Sequence, residues 1–315
     1  MPFMFHLKRN KMYKIFILFV ILIITLFNFQ FCFGQDDLLK VLQSETTVKT
    51  EKVIATFKGN GIIDIETNET VRKNNLDFRI SHLFGSIGTE SGGGIHNLYG
   101  IDQSADIRLG FHFGITDRLM LGVSHLKRHE NFEGLVKYRV LEQTSKGQMP
   151  FALTLFGNTT YSIRTSKEFT KNIYRLTYNI QAIFARKFSP NFSFVITPAL
   201  IHRNFVFADD ENTTISLSGG FRCKFTRSAS IIADYSHTFG RKNVGLDYYD
   251  VLGAGVEIET GGHVFSIMFS NASGILANDY LINTTDSWAK GGMKFSFIIS
   301  RMFRFGKDDM KVQKQ

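Results

Sequence analysis

Hydrophobic residues fall on every second position through much of Ile173–Phe207. In its first half Tyr174, Leu176, Tyr178, Ile180, Ala182 and Phe184 alternate with Arg175, Thr177, Asn179 and Gln181. A helix, with a period of 3.6, would scatter those residues. A strand sorts them, because successive side chains point to opposite faces. The alternation outlasts an ordinary strand of about 5–6 residues. It reaches the roughly 9–11 tilted residues with which β-structure crosses a bilayer. After the turn FSPN (Phe188–Asn191), Phe192, Phe194, Ile196 and Leu200 repeat the pattern. This is the hairpin unit of a transmembrane β-barrel, apolar toward lipid and polar toward the lumen.

The same reading predicts an all-β, up-and-down antiparallel barrel of twelve strands. They are Leu76–Phe84, Ala105–Phe113, Leu119–His125, Phe132–Leu141, Phe151–Arg164, the two of the hairpin, Thr214–Phe225, Ala229–His237, Val251–Ile258, His263–Ser270 and Met293–Phe305. Links alternate in length, as expected of short periplasmic turns and longer extracellular loops. Ile115–Asp117, Phe188–Asn191, Thr226–Ser228 and Thr260–Gly262 are short, whereas Gly85–Ser104, Thr238–Asp250 and Asn271–Gly292 are long. Glu142–Pro150 is a misfit, a long turn on the short side.

Ahead of the barrel, Asp36–Ser44 suggests a short helix. Val53–Lys58 and Ile62–Thr67 flank Gly59-Asn60-Gly61, a hairpin signal. Residues 35–74 are expected in the periplasm or folded into the barrel mouth as a plug. Two further barrel strands there, giving fourteen, are the alternative.

The outward positions carry almost no charge, which points to lipid, where a charged side chain costs about 2–4 kcal/mol at the midplane. Arg301 shares that face but lies near a strand end. The rival is a soluble β-barrel or sandwich with its apolar face inward. Strand lengths and loop asymmetry favour the membrane.

Composition adds the route. Met1–Lys14 carries Lys8, Arg9, Lys11 and Lys14 with no acid, and Ile15–Phe33 is nearly all apolar. Cys32-Phe33-Gly34 supplies small residues at a cleavage site, so residues 1–34 read as a secretory signal peptide. An uncleaved anchoring helix is the alternative. Removing four positive charges takes the formal net charge from +9 to +5, and leaves Cys223 without an intramolecular disulfide partner. The 32 Phe and 10 Tyr suit strands and interfacial girdles.

Several motifs resemble a family of uncharacterised outer-membrane β-barrel proteins of Gram-negative bacteria, domain of unknown function family 5777. They are LDFRISHLFG (Leu76–Gly85), GGGIHNLYGID (Gly92–Asp102), IRLGFHFGITDRLMLGV (Ile107–Val123) and FEGLVKYRVL (Phe132–Leu141). The resemblance is clearest over about residues 50–160. It implies secretion and an outer-membrane barrel, and it carries no catalytic residues.

Candidate chemistry starts in the lumen. Inward positions hold Arg79, Arg108, Lys137, Arg139, Arg175, Arg222, Lys224 and Lys294 against Asp77, Asp106, Glu133, Asp234, Glu257 and Glu259. One reading is a mildly anion-preferring pore. The plainer one is a salt-bridge network filling a narrow barrel, since buried charges must be paired. Asp77/Arg79 and Asp106/Arg108 lie on neighbouring strands and are expected to pair. His82, His96, His125, His129, His202 and His237 map to the presumed extracellular ends; they could hold a transition metal, but interfacial histidines are the plainer reading. Gly92–Gly94 lacks the Gly-Lys-Ser/Thr of a phosphate cradle. Ser124-His125 and Ser236-His237 are adjacent along strands, so each pair points to opposite faces. No cofactor motif and no nucleic-acid reader is present.

The sequence therefore predicts a protein of the Gram-negative outer membrane, inserted by the outer-membrane assembly machinery into the lipid bilayer. The leading expected role is a pore or transporter for a small, anionic solute. The alternative is a plugged barrel that binds a ligand or partner through Gly85–Ser104 and Asn271–Gly292. A surface hydrolase is third.

Overall fold

The period-two alternation becomes twelve strands because each can face lipid with one side and the lumen with the other, while a closed ring satisfies every strand edge. In the computed structural model, which describes residues 51–88, 92–207, 210–241, 245–260 and 262–305, they are β1 (Asn75–Ser86), β2 (Ser104–Gly114), β3 (Leu119–Leu126), β4 (Asn131–Leu141), β5 (Ala152–Ser162), β6 (Leu176–Lys187), β7 (Phe192–Arg203), β8 (Thr213–Lys224), β9 (Ala229–Phe239), β10 (Val251–Thr260), β11 (His263–Ser270) and β12 (Lys294–Arg304). Every neighbour is antiparallel, and β1 pairs with β12 to close the barrel. The expected signal peptide, the helix at 36–44 and the polar tail at 307–315 lie outside the described residues.

Inner and outer faces follow the pattern. On β6, Tyr178 and Ile180 are exposed outward, while Asn179, Gln181, Ile183 and Ala185 are buried inward. Aromatic pairs such as Phe78–Phe111 and Phe192–Phe221 sit on the outer surface. Arg301 faces out near the end of β12, its guanidinium 5.0 Å from the Phe303 ring centre. Among the described residues no helix is long and apolar enough to cross a membrane; the strands do so.

Two expectations fail. The hairpin strand begins at Leu176, because Asn172–Arg175 coil into a 3-10 turn. The alternative of fourteen strands is also excluded. Residues 52–74 add nothing to the ring and lie inside it. Their chain reverses at Ile62–Ile65, where the Ile62 N–H donates to the Ile65 carbonyl at 3.1 Å. The flanking arms meet in an isolated bridge between Gly61 and Glu66. Gly59-Asn60-Gly61 is thus not the reversal. A Cβ on Gly61 would come within 3.2 Å of the Ile65 carbonyl oxygen and 3.3 Å of Arg79 Nη1, so this glycine serves close approach.

Candidate functional site: a filled lumen

The reversal places three isoleucines at the tip of the inserted segment. Ile62, Ile63 and Ile65 are buried with Phe57 and Val71 against the inward side chains Met120, Leu135, Phe156, Ile183, Val195, Ile232 and Met268. The polar backbone of the tip still needs partners. Asp234 on β9 supplies them: its Oδ2 accepts the N–H of Asp64 at 2.7 Å and of Ile65 at 3.2 Å. Asp64 in turn accepts the Ser270 hydroxyl at 2.6 Å.

Both arms are fastened to the wall. Lys137 on β4, fully buried, donates to the Glu66 carboxylate at 2.6 Å and to the Asn60 carbonyl at 2.9 Å. Asn60 donates to Asp77 at 3.2 Å, and Arg139 donates to Glu69 and to Thr70 Oγ1. The ends are held at the short-turn rim. Lys52 bridges Thr144, and Lys73 bridges Gly114. The long Glu142–Pro150 turn thereby acquires a role, since Lys52 pairs with Glu142 at 2.6 Å and the Val53 N–H donates to the Gln143 carbonyl.

The opposite end is filled by the link after β11. Ala272, Ala277, Tyr280, Leu281 and Ile282 are buried with Ile201 and Val251. Within it, Ala277–Asn283 forms the short helix α1. Asp106 holds this loop, its Oδ2 accepting the Ile275 N–H at 3.2 Å and its Oδ1 the Arg128 N–H at 2.9 Å. Arg128 pairs with Asp279 of α1 at 2.5 Å. Of the two loops expected on display, Asn271–Gly292 therefore turns inward. The other carries exposed Ile95, Leu98, Tyr99 and Ile101.

The predicted lumen charges separate by position. Asp77, Arg79, Asp106, Arg108, Lys137, Arg222, Asp234 and Lys294 are all buried. Arg79 lies 3.5 Å from Asp77 of its own strand. Asp106 and Arg108 do not pair: Arg108 reaches Glu133 at 2.6 Å, passing Ser124 at 3.1 Å. Arg222 binds Glu257 and Glu259, and Lys294 binds Asp286. Lys224 and Arg139 lie toward the short-turn rim. Arg175 falls outside its strand and donates to the carbonyls of Ser162 and Arg164.

A second kind of wall faces this one. On β5–β8, Asn158 Oδ1, both amide atoms of Asn179, Gln181 Oε1, Thr197 Oγ1, Thr214 Oγ1 and Ser216 Oγ are buried without a protein partner. Asn158, Asn179 and Gln181 border a gap of about 30 Å³ between the segment tip and Leu276. Above it a cavity of about 420 Å³ opens toward the long-loop rim, lined by Thr160, Tyr174, Phe205, Leu276 and Asn278. Below the tip a cavity of about 710 Å³ opens at the other rim.

The histidines do not converge. His82 stacks on Phe297 and His202 on Tyr178, His125 meets Phe132 edge-on, and His237 pairs with Asp250 at 2.9 Å. Among the described residues no group of three His, Cys, Asp or Glu is placed to hold a metal ion. Ser236 turns inward to Ser218 while its neighbour His237 meets Asp250, so this pair does not assemble a nucleophile with a base.

A family model described as a membrane-bound β-barrel domain, DUF5777, matches residues 57–303. No curated protein matches the chain. Among solved structures, the NanC porin is 10% identical, with 73% of this chain and 100% of that chain covered at a TM-score of 0.45. The KdgM porin in complex with disordered oligogalacturonate is 8% identical, with 74% and 99% covered and a TM-score of 0.44. The outer membrane protein Omp33 of Acinetobacter baumannii is 9% identical, with 74% and 99% covered and a TM-score of 0.37.

Proposed function

The chain belongs to the family of membrane-bound β-barrel domains, DUF5777, and from that premise we propose that it is a gated outer-membrane conduit for a small solute, closed at rest by residues 52–74. The short turns then face the periplasm and the long loops the exterior, since an even strand number leaves both barrel ends on the periplasmic side. The observation that carries this reading is the way the tip is held. Its grip combines an apolar cluster with Asp234, one carboxylate accepting two backbone N–H groups. Such a contact is local, so the tip can let go while Lys137–Glu66 and Arg139–Glu69 still tether the arms to the wall.

Hydrogen bonds to charged groups contribute about 1.5–3 kcal/mol each. Asp234→Ala should therefore raise the open probability of single channels in a planar bilayer by on the order of tenfold or more. Wild type should be mostly silent. A folded Asp234→Ala barrel that stays silent counts against gating. It would favour the second reading, a permanently filled barrel that presents exposed Ile95, Leu98, Tyr99 and Ile101 to a partner. Phe303 and Phe305 at the end of the last strand support handling by the barrel assembly machinery.

A further inference from the structure

We propose that the exterior half of the lumen is a binding site for an uncharged, hydroxyl-bearing small solute, seated between α1 and the β5–β6 wall. The inference rests on the conduit reading and names its solute class. Four side-chain amides carry it. Asn158, Asn179 and Gln181 border the gap of about 30 Å³, and Asn278 of α1 borders the cavity of about 420 Å³ above it. The two spaces share Leu276. All four residues are more than nine-tenths buried, with exposures of 7%, 1%, 3% and 8%. Asn179 and Asn278 lack a protein partner at both amide atoms, and Asn158 and Gln181 lack one at the carbonyl oxygen.

A side-chain amide both donates and accepts, as a hydroxyl does. Of the four, Asn278 lines the larger cavity, where its unpaired amide suits a hydroxyl group and orients it, while Asn158, Asn179 and Gln181 line the gap beneath, with room for about one water between them and the solute. A volume of about 420 Å³ is within the range of about 300–1,000 Å³ typical of small-molecule sites. Tyr174 and Phe205 add apolar ring surface.

Charge argues against an ion. Most cationic groups around the cavity have a carboxylate: Arg128 has Asp279, Arg164 has Glu168, and Arg203 has Asp210, which it shares with Arg241; Arg175 meets only two backbone carbonyls. At the gap, Arg108 is engaged by Glu133 and Arg79 by Asp77. A cation would find no free carboxylate and an anion only Arg175, already bonded to two carbonyls, so either would shed its water for little return, which is costly. A neutral one would break none of these pairs. Below the gap Phe156, Ile183 and Val195 close on the segment tip, so the solute stops there until the tip withdraws.

The test uses the refolded chain Gln35–Gln315 in detergent, with glucose, gluconate and glucosamine as neutral, anionic and cationic probes of similar size. Calorimetry and saturation-transfer NMR should show saturable glucose binding, at least tenfold tighter than either charged probe. Asn278→Leu and Asn179→Leu should each weaken it tenfold or more. Heat-modifiable gel migration verifies the barrel, and Asn278→Leu, on a loop helix, carries the test if the strand variant fails to fold. Tighter binding of gluconate or glucosamine, binding unchanged in Asn278→Leu, or no binding of any probe overturns the proposal. Conductance of Asp234→Ala, recorded without solute, tests the gate alone, so failure of the gate and failure of the solute class are separately visible.

Discussion

Two walls of the same lumen solve the problem of a polar interior differently. Along β1–β4 the wall is built of ions, and each of Arg79, Arg108 and Lys137 has a carboxylate at hand. Along β5–β7 and the first half of β8 it is built of amides and hydroxyls, many without a protein partner, before charge returns at Arg222 with Glu257 and Glu259. An ion buried alone is costly, so a charged wall must be matched, and the matching fixes whatever supplies the counter-charge. Here that includes the inserted segment, through Glu66 and Glu69. A neutral wall makes no such demand and leaves room for an exchangeable occupant. One wall therefore holds the plug, and the other faces the free space.

The contrast can be broken most severely at Glu133. Glu133→Ala strands Arg108 in the interior and should cost about 3–5 kcal/mol, read as a lower urea midpoint for barrel unfolding. Lys137→Met should act on the segment more than on the ring. It removes the charged bonds to Glu66 and Asn60, worth about 1.5–3 kcal/mol, so proteolysis within residues 52–74 should speed up on the order of tenfold to a hundredfold while gel migration still reports a closed barrel. On the neutral wall, Thr197→Val removes a hydroxyl that has no protein partner. Stability should then change by less than about 0.5 kcal/mol; a loss like that of Glu133→Ala would erase the distinction.

The smallest effect concerns pH. Burial works to raise the Glu142 carboxyl, but Lys52 and Arg118 outweigh it and hold the group below its ordinary value of 4.5. A carboxyl whose folded value is depressed contributes stability above its unfolded value and loses it as pH falls through the folded value. The hydrogen-exchange protection factor at Val53, whose N–H donates beside this clamp, should fall only as pH drops below 4.5 and should not change between pH 6 and 8.

What the sequence makes legible is the ring, because lipid on one side and a polar lumen on the other write a period of two into every strand. The inward direction of Asp77, Arg79, Arg108 and Lys137 follows from the same parity. Their partners do not. Arg108 meets Glu133 rather than Asp106 because β3, lying between β2 and β4, brings Ser124 level with Glu133, and register across three strands is a tertiary fact. The reversal at Ile62–Ile65 is hidden because an apolar tip reads as strand when its burial inside a barrel is unknown. The inward fold of Asn271–Gly292 did leave a trace. Ala277, Tyr280 and Leu281 are spaced as one helical face, apolar residues in a link expected to face water.

Both ends of the inserted segment are tied at one rim, Lys52 beside Thr144 and Lys73 beside Gly114. Topologically the segment is a cork on a folded string, not a thread drawn through a ring. Nothing has to pass through the barrel for it to leave or return, and no strand pairing has to open. Order of assembly follows. Residues 52–74 precede the ring in the chain, yet their seat is complete only once β12 has closed on β1, so a segment made before the ring docks after it.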